Sequence, residues 1–185
     1  MLVLNVHERE IPMSAAGVGI LLNSLSSDND ALWPRTMWPP MRFDRPLDVG
    51  ASGGHGPVRY VVEEFSPGQM VKFRFSGPRG FNGFHRFEVL PKGESCAVLR
   101  HTLDMKAQGA ALLSWPLVFR PLHDALLEDS LALAQATLGT TPYVRPWSLW
   151  VKFLRWVFSS GKARSQQTPN PSLQGTLRQK AAQRP

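Results

Sequence analysis

Three histidines occupy positions at which their side chains could meet inside a folded domain. His85 shares one face of its predicted strand with Phe87, and His101 lies on the apolar face of the strand that follows. If the hairpin between these strands is centred on Gly93, the two histidines are direct cross-strand neighbours with β-carbons about 5 Å apart. His123 lies on a later helix and could reach the same interior from the opposite wall.

Three interpretations of these histidines stay open on sequence alone. They could be hydrogen-bonded polar residues that fix strand register in a mostly apolar interior. They could orient an apolar or amphipathic ligand in a concave site. They could also form a metal or acid–base centre, because imidazole titrates near neutrality and binds zinc readily. In that centre Asp124 or Glu128 could orient an imidazole.

Ligand binding is the function we expect, and the aromatic side chains of the strands and the late helix would line the site. We expect neither a metal nor a cofactor, because His85 and His101 lack a local ligand motif. The residues predicted to contact the ligand are His85, His101, His123, Tyr60, Phe73, Phe75, Phe87, Trp115 and Phe119.

Other kinds of chemistry have little support in the sequence. The glycine-rich segment 50–56 precedes a predicted strand, whereas a phosphate cradle needs a helix N-terminus directly after it. We therefore predict a flexible hairpin loop there, at the mouth of the cavity. Ser52 and Ser114 lack the context of a nucleophile elbow, and Cys96 has no adjacent basic residue to activate it.

The composition of the chain limits which compartment and which partners we expect for the protein. A single cysteine excludes an intramolecular disulfide and leaves no cysteine cluster for zinc. The first residues do not read as a signal peptide, and no apolar run approaches the roughly 18 residues of a membrane span. The formal charge of +7 arises in residues 142–185, which contain eight basic residues and no acid. We therefore expect a cytoplasmic protein, and no nucleic acid as a partner.

The elements that must position the histidines can be read from the hydrophobic pattern. Leu2–Ile11 is a predicted strand with two partly apolar faces, and Ser14 can cap the helix that follows. Prolines exclude regular structure between Trp33 and Pro40.

Five predicted strands then follow with connections short enough for an antiparallel meander. Their predicted ranges are Met41–Val49, Val58–Phe65, Met70–Phe75, Phe81–Leu90 and Cys96–Met105.

The segment Leu112–Leu138 is the long helix on which we expect the rest of the domain to fold. From Leu127 onward its apolar residues recur at i, i+4, i+7 and i+11, which produces a face that must be covered. Pro121 removes one helical hydrogen bond, so a bend is predicted between Val118 and Pro121.

This order of elements predicts an α+β domain in which a curved antiparallel sheet of about six strands wraps around a long C-terminal helix. The chain resembles the START-like, polyketide cyclase-like (SRPBCC) superfamily with its helix-grip fold, over Met1 to about Leu138. The resemblance is closest to small bacterial members of unsettled activity. The segments that carry it are Leu32-Trp33-Pro34, Gly53–Pro57, Gly80-Phe81 with Gly83 and His85, and Arg120–Asp124.

The segment Pro146–Ser160 is predicted to form a basic, aromatic, amphipathic helix. Its composition suits a helix that lies in a membrane interface, although it could instead dock on the domain and bury its rings. The residues predicted to contact a membrane are Trp147, Trp150, Lys152, Phe153, Arg155 and Trp156. Residues 161–185 have few large apolar side chains, which predicts disorder.

The sequence therefore predicts a START-like domain over residues 1–141, a linker and amphipathic helix over 142–160, and a disordered tail over 161–185. The expected function is binding of a small hydrophobic or amphipathic molecule between the sheet and the long helix, with peripheral membrane contact through residues 146–160. The alternative is a cyclase, dehydratase or hydrolase that uses His85 and His101 as acid and base. A third hypothesis is an accessory protein that acts through its tail.

Overall fold

A computed structural model describes residues 1–165 of the chain, with side chains described through Phe158. Seven strands form one antiparallel sheet in the order β1-β7-β6-β5-β4-β3-β2. The strands are β1 (Leu2–Ile11), β2 (Arg42–Phe43), β3 (Ser52–His55), β4 (Val58–Ser66), β5 (Met70–Gly77), β6 (Phe81–Pro91) and β7 (Ala97–Ala107).

The helices lie before and after the run of strands β2 to β7, as an α+β domain requires. They are α1 (Ala15–Ser24), α2 (Ala111–Ser114), α3 (Arg120–Thr137) and α4 (Leu149–Ser165), and a π-helical turn (Trp115–Phe119) joins α2 to α3. The predicted cap of α1 is confirmed, because the Ser14 hydroxyl accepts a hydrogen bond from the Gly17 N–H at 3.3 Å. The predicted fold class is confirmed as well, with one strand more than expected.

The π-helical turn begins three residues before the bend that we predicted between Val118 and Pro121, and it overlaps that range at Val118 and Phe119. Pro116 and Pro121 have no N–H to donate, so the regular ladder of helical hydrogen bonds is interrupted between them. A π-turn inside a helix is a local widening that often occurs at functional sites. Here it sets the position from which Trp115 and Phe119 reach the interior.

The pairing of β4 with β5 is irregular at two points. Register shifts between Arg59 and Tyr60, where Ser76 of β5 is the extra residue, and again between Val62 and Glu64, where Glu63 of β4 is the extra residue. Bulges of this kind bend and twist the strand that contains them.

The edge of the sheet formed by β2 and β3 differs from the prediction. The strand predicted over 41–49 is reduced to Arg42–Phe43, and the predicted glycine loop contains the strand Ser52–His55. Glycine is what permits this strand, because a β-carbon at Gly53 or Gly54 would collide with a backbone carbonyl oxygen of the neighbouring strand. Gly53 and Gly54 therefore allow the backbone of β3 to lie close to the backbones of β2 and β4.

The core lies between the inner face of the sheet and the two helices α1 and α3. Leu21 and Leu22 of α1 and Leu127 and Leu131 of α3 have at most 1% of their surface exposed. Trp38, in the irregular proline segment, is buried and donates its indole N–H to Asp129 of α3 at 2.7 Å. The irregular segment thus closes one end of the core.

The chain divides into two compact units, Met1–Trp147 and the segment that begins at Ser148 and contains α4. In the described part of the chain, no helix is both long and apolar enough to cross a membrane. The disorder predicted for residues 161–185 falls mainly on residues 166–185, which lie outside the described residues, and it stays a prediction.

Candidate functional site

The five histidines of the chain lie in one interior cluster, although they come from four strands and one helix. Ring contacts connect them with centroid separations between 4.7 and 6.0 Å. The order of these contacts is His55, Tyr60, His85, His101, His123 and His7. We call this set of rings the histidine cluster.

His85 and His101 meet as predicted, but in a different register. His85 lies opposite Leu103 and His101 lies opposite Phe87, so the expected direct pairing of the two histidines is wrong. The turn is one residue later than expected, because Pro91 pairs with Ala97 and five residues are left for the turn. The two rings are diagonal neighbours on the inner face, and His85 Nδ1 lies 3.2 Å from His101 Nε2.

Both imidazoles of this pair favour the neutral form. Burial lowers the pKa of His85 and of His101 well below the ordinary value, and the neighbouring histidines lower both further. In a hydrogen bond between two neutral rings, one nitrogen donates and the other accepts. The two outer atoms, His85 Nε2 and His101 Nδ1, are then always one donor and one acceptor. Both are buried and have no hydrogen-bond partner among the described residues.

Aromatic side chains surround the pair. The His85 ring is stacked with Phe73 at 4.9 Å and with Phe75 at 5.1 Å, and it meets Tyr60 edge-on at 4.7 Å. His101 meets Phe87 at 4.6 Å. The surroundings of the two polar rings are therefore almost entirely apolar.

The remaining predicted residues lie in the π-helical turn and in α3. Trp115 is buried and contacts His123 with ring centroids 5.8 Å apart, whereas Phe119 is half-buried and meets Phe81 at 4.9 Å. All nine predicted contact residues thus lie in or against the interior, but Phe75, Phe119 and His123 are not fully covered.

The space that we expected to be an open cavity is occupied by these rings. Two depressions in the described part of the chain lie away from this space. One, of about 360 Å³, lies beside Phe43, His55 and Arg59 at the β2–β3 edge. The other, of about 350 Å³, lies beside Glu63 and Arg74. A ligand in the interior would have to displace side chains.

A second polar group shares His7 with the histidine cluster, and the part that β1 takes in it was not predicted. His7 of β1 points inward to α3, with Nδ1 2.9 Å from Glu128 Oε1 and Nε2 3.1 Å from Asp124 Oδ1. Asn5 donates to Asp124 at 2.9 Å, and Arg9 donates to Glu128 at 2.7 Å. Two carboxylates one helical turn apart on α3 therefore face three polar residues that alternate along β1.

The charges in this group stabilise one another. Burial lowers the pKa of His7, but the hydrogen bonds to Asp124 and Glu128 outweigh burial and raise it above the ordinary value. Burial raises the pKa of Asp124, yet its contacts with His123 and His7 hold that pKa well below the usual range. The pKa of Glu128 is lowered in the same way by His7 and Arg9, against the effect of burial.

His123 lies between the two groups and faces the interior. Its Nδ1 is 3.6 Å from Asp124 Oδ1, and neither of its buried ring nitrogens has a hydrogen-bond partner among the described residues. Burial lowers its pKa, against the influence of Asp124. Of the described histidine, cysteine and acidic residues, His7, His123 and Asp124 have ligand atoms that lie within 4.8 Å of one another.

A signal for His7 was present in the sequence. Leu2, Leu4 and Val6 are the apolar residues of one face of β1, and the structure exposes them. The opposite face has buried ends at Val3 and Ile11 with polar residues between them. An apolar–polar–apolar inner face is uncommon unless a partner satisfies its centre.

Known proteins resemble this chain in fold but hardly in sequence. No protein-family model matches the chain, and no curated protein is matched in sequence. Norcoclaurine synthase from Thalictrum flavum, in a complex with a transition-state analogue, is 15% identical with a TM-score of 0.56. The match covers 75% of this chain and 96% of that one. The chain has the START-like helix-grip fold.

Two further solved structures share this fold. A protein from Thermobifida fusca is 17% identical with a TM-score of 0.57, over 77% of this chain and 99% of that one. The di-domain aromatase/cyclase StfQ of the steffimycin biosynthetic pathway is 14% identical with a TM-score of 0.56, over 75% of this chain and 51% of that one. At these sequence identities the matches show the architecture of the domain only. Its function has to be argued from the residues of this chain.

Proposed function

We propose that the START-like domain binds a small, mostly apolar molecule with one polar group in the interior between the sheet and α3. The observation that carries this proposal is the pair of buried, unpartnered ring nitrogens, His85 Nε2 and His101 Nδ1, in an aromatic environment. A buried polar atom without a partner costs about 1–3 kcal/mol. A ligand that supplies the missing hydrogen bond recovers that free energy on binding.

The coupling of the two rings defines the polar group of the ligand. Because the outer atoms are one donor and one acceptor, a hydroxyl or a carbonyl can be matched by either tautomer of the pair. The apolar part of the ligand would pack against Phe73, Phe75 and Phe87. Small phenols and aromatic aldehydes fit this description.

A solved relative is consistent with this class of ligand. Norcoclaurine synthase from Thalictrum flavum has been solved in complex with dopamine and hydroxybenzaldehyde, and it is 14% identical with a TM-score of 0.55. Both molecules consist of an aromatic ring with polar substituents, as does the class of ligand that we propose.

Entry of the ligand requires side chains to move, because the interior is filled. Phe75 and Phe119 are the two phenylalanines among the predicted contact residues that remain half-buried, and Phe119 ends the π-helical turn. Half-buried aromatic rings have fewer contacts to lose than fully buried ones. We therefore place the entrance at Phe75 and Phe119.

The enzyme hypothesis uses the same pair of histidines. If both rings change tautomer together, a proton enters at one outer nitrogen and leaves at the other without a change in net charge. Such a relay could serve a cyclase or dehydratase, which must move protons on one substrate. The two hypotheses differ in one result: an enzyme consumes the ligand, whereas a binding protein releases it unchanged.

The experiment compares matched ligands by ¹H–¹⁵N NMR titration. We expect phenol and benzaldehyde to bind about fivefold more tightly than benzene, because one hydrogen bond contributes about 1 kcal/mol. In the double variant His85→Phe/His101→Phe, which keeps an aromatic ring at both positions, the preference should disappear while benzene still binds. Glu63→Gln, close to the outer depression, is the control and should keep the preference.

Equal affinity for phenol and benzene in the wild-type protein would refute the proposal, as would a preference that survives in the double variant. Spectra of the added compound after long incubation decide between binding and catalysis. Native mass spectrometry of the purified protein then searches for the natural ligand.

Contact with a membrane surface is a second candidate function, and α4 is the segment that supports it. Leu149, Phe153 and Phe158 are 83%, 47% and 56% exposed, and Lys152 is exposed among them. Exposed aromatic and basic residues on one helix suit an anionic interface. The full chain should pellet with phosphatidylserine vesicles, and Phe153→Glu/Phe158→Glu should abolish this. Equal pelleting of both proteins would contradict the idea.

A further inference from the structure

We propose that His7, His123 and Asp124 form a binding site for a first-row divalent transition-metal ion, with Zn²⁺ as the reference ion. These residues join β1 to α3, and the sequence alone had not connected His7 with the other two. The site is separate from the His85–His101 pair on which the proposed function rests.

The spacing of the ligand atoms fits such an ion. Zinc bonds of about 2.0–2.2 Å in a tetrahedral arrangement place neighbouring ligand atoms about 3.4 Å apart. His7 Nε2 lies 3.1 Å and His123 Nδ1 lies 3.6 Å from Asp124 Oδ1. All three ligand atoms lie within 4.8 Å of one another, so small side-chain adjustments would suffice.

A second layer of hydrogen bonds orients the ligands. His7 Nδ1 donates to Glu128 Oε1 at 2.9 Å, which directs Nε2 at the proposed ion. A carboxylate on the far nitrogen of a ligand histidine is the common support of zinc sites. Asn5 donates to Asp124 Oδ1, and Arg9 holds Glu128 from its other side.

His123 is the residue that an internal salt bridge alone does not explain. His7 is satisfied by two carboxylates without any ion, but both nitrogens of the buried His123 ring have no hydrogen bond among the described residues. The side chain is 14% exposed, so bulk water does not compensate the loss. An ion shared with His7 and Asp124 would satisfy it.

The ligand set also predicts what kind of site this is. Two imidazoles and one carboxylate leave at least one position open, as in catalytic rather than structural zinc sites. With the ion bound, His7 neutral and Arg9 beside Glu128, the group has a net charge of about +1 by simple counting of formal charges. The open position therefore favours an anionic oxygen, such as a carboxylate or phenolate.

The experiment is a titration of the full chain with Zn²⁺ and Co²⁺ in a Cys96→Ser background, which removes the one competing thiol. We expect one ion per chain by calorimetry, and visible Co²⁺ absorption of a four- or five-coordinate centre. His123→Phe keeps a ring against Trp115 and His101 but removes the ligand atoms, and it should weaken binding at least 100-fold. Glu128→Gln should weaken binding about 10- to 100-fold by loosening His7.

His55→Phe is the matched control, since it removes another interior histidine and should leave the affinity for metal unchanged. Zn²⁺ should also raise the melting temperature of the parent protein but not that of His123→Phe. The proposal is overturned if the parent binds no stoichiometric ion, or if His123→Phe binds it equally well. The benzene and phenol titrations, repeated with a chelator, report separately on the proposed function.

Discussion

The His85–His101 pair should make the stability of the domain depend on pH in a way that can be measured. The pKa of each ring is lowered in the folded protein, from 6.5 in the unfolded chain. Below pH 6.5 the unfolded chain therefore binds protons that the folded protein does not. The stabilising contribution is complete above this pH and is lost as the pH falls below it.

The magnitude follows from the number of rings. Each histidine that stays neutral in the folded state and titrates normally in the unfolded state costs about 1.4 kcal/mol of stability between pH 7.5 and pH 5.5. Two such rings cost about 2.7 kcal/mol, a large part of the roughly 5–15 kcal/mol that stabilises a typical domain. His85 and His101 are 4% and 2% exposed, so solvent screening does not reduce this figure much.

Urea denaturation at both pH values measures the effect as a difference between variants. His85→Phe/His101→Phe should lose about 2.7 kcal/mol less than the wild-type protein between pH 7.5 and 5.5. Phe87→Leu, which changes the same interior without removing a titrating group, should lose as much as the wild type. His7 has a raised pKa and acts with the opposite sign, but it is present in every variant and cancels. An identical loss in the double variant and the wild type would refute the assignment of neutral buried rings.

Three further substitutions test features of the fold by urea denaturation. Ser14→Ala should cost about 1 kcal/mol, because it removes the cap of α1; a neutral result would mean that the cap contributes nothing. Gly54→Ala should cost roughly 1–3 kcal/mol, since φ is +154° and a β-carbon would collide with the next strand; full stability would contradict the close approach of β3 and β4. Asp129→Leu should cost about 1–3 kcal/mol for each indole N–H that it leaves unpaired, those of Trp38 and Trp147. Asp129→Asn keeps an acceptor oxygen and should be milder.

The architecture could be predicted from sequence because it depends on periodicity. The alternation of apolar residues in Met70–Phe75 and the helical spacing from Leu127 onward each specify one buried face. Short connections with glycine and proline then leave an antiparallel meander as the simplest arrangement. The prediction of the fold class therefore stays the same when the boundary of a single strand or helix is misplaced by a residue.

Register and edge strands could not be predicted in the same way. The shift of the β6–β7 hairpin by one residue in its turn changes the partner of His85 from His101 to Leu103, while the inner face stays the same. A turn of five residues and one of three place the same side chains inward, so hydrophobic pattern alone does not distinguish them. Strand β3 lacks any pattern, because its glycines act by backbone proximity.

His7 was missed for a related reason, which is that its partners are far away in sequence. The contacts from Asn5, His7 and Arg9 to α3 span more than 115 residues, with sequence separations of 117 to 121. Asp124 and Glu128 could be assigned to one helical face, but only the pairing of β1 with β7 brings His7 in front of them. A charge cluster assembled by topology has no local signature.

The histidine cluster is a costly way to fill an interior, and this cost is an argument for a role beyond packing. An interior selected for stability alone would replace the His85–His101 pair by apolar rings of similar shape, since each unpartnered nitrogen is unfavourable. The double variant tests this reasoning directly. We expect it to be more stable than the wild type at pH 5.5, at least as stable at pH 7.5, and unable to prefer phenol over benzene. Such a result would mean that the two histidines lower the stability of the native protein and provide ligand recognition. If it is less stable at both pH values, the pair contributes to packing, and the polar rings need no ligand to explain them.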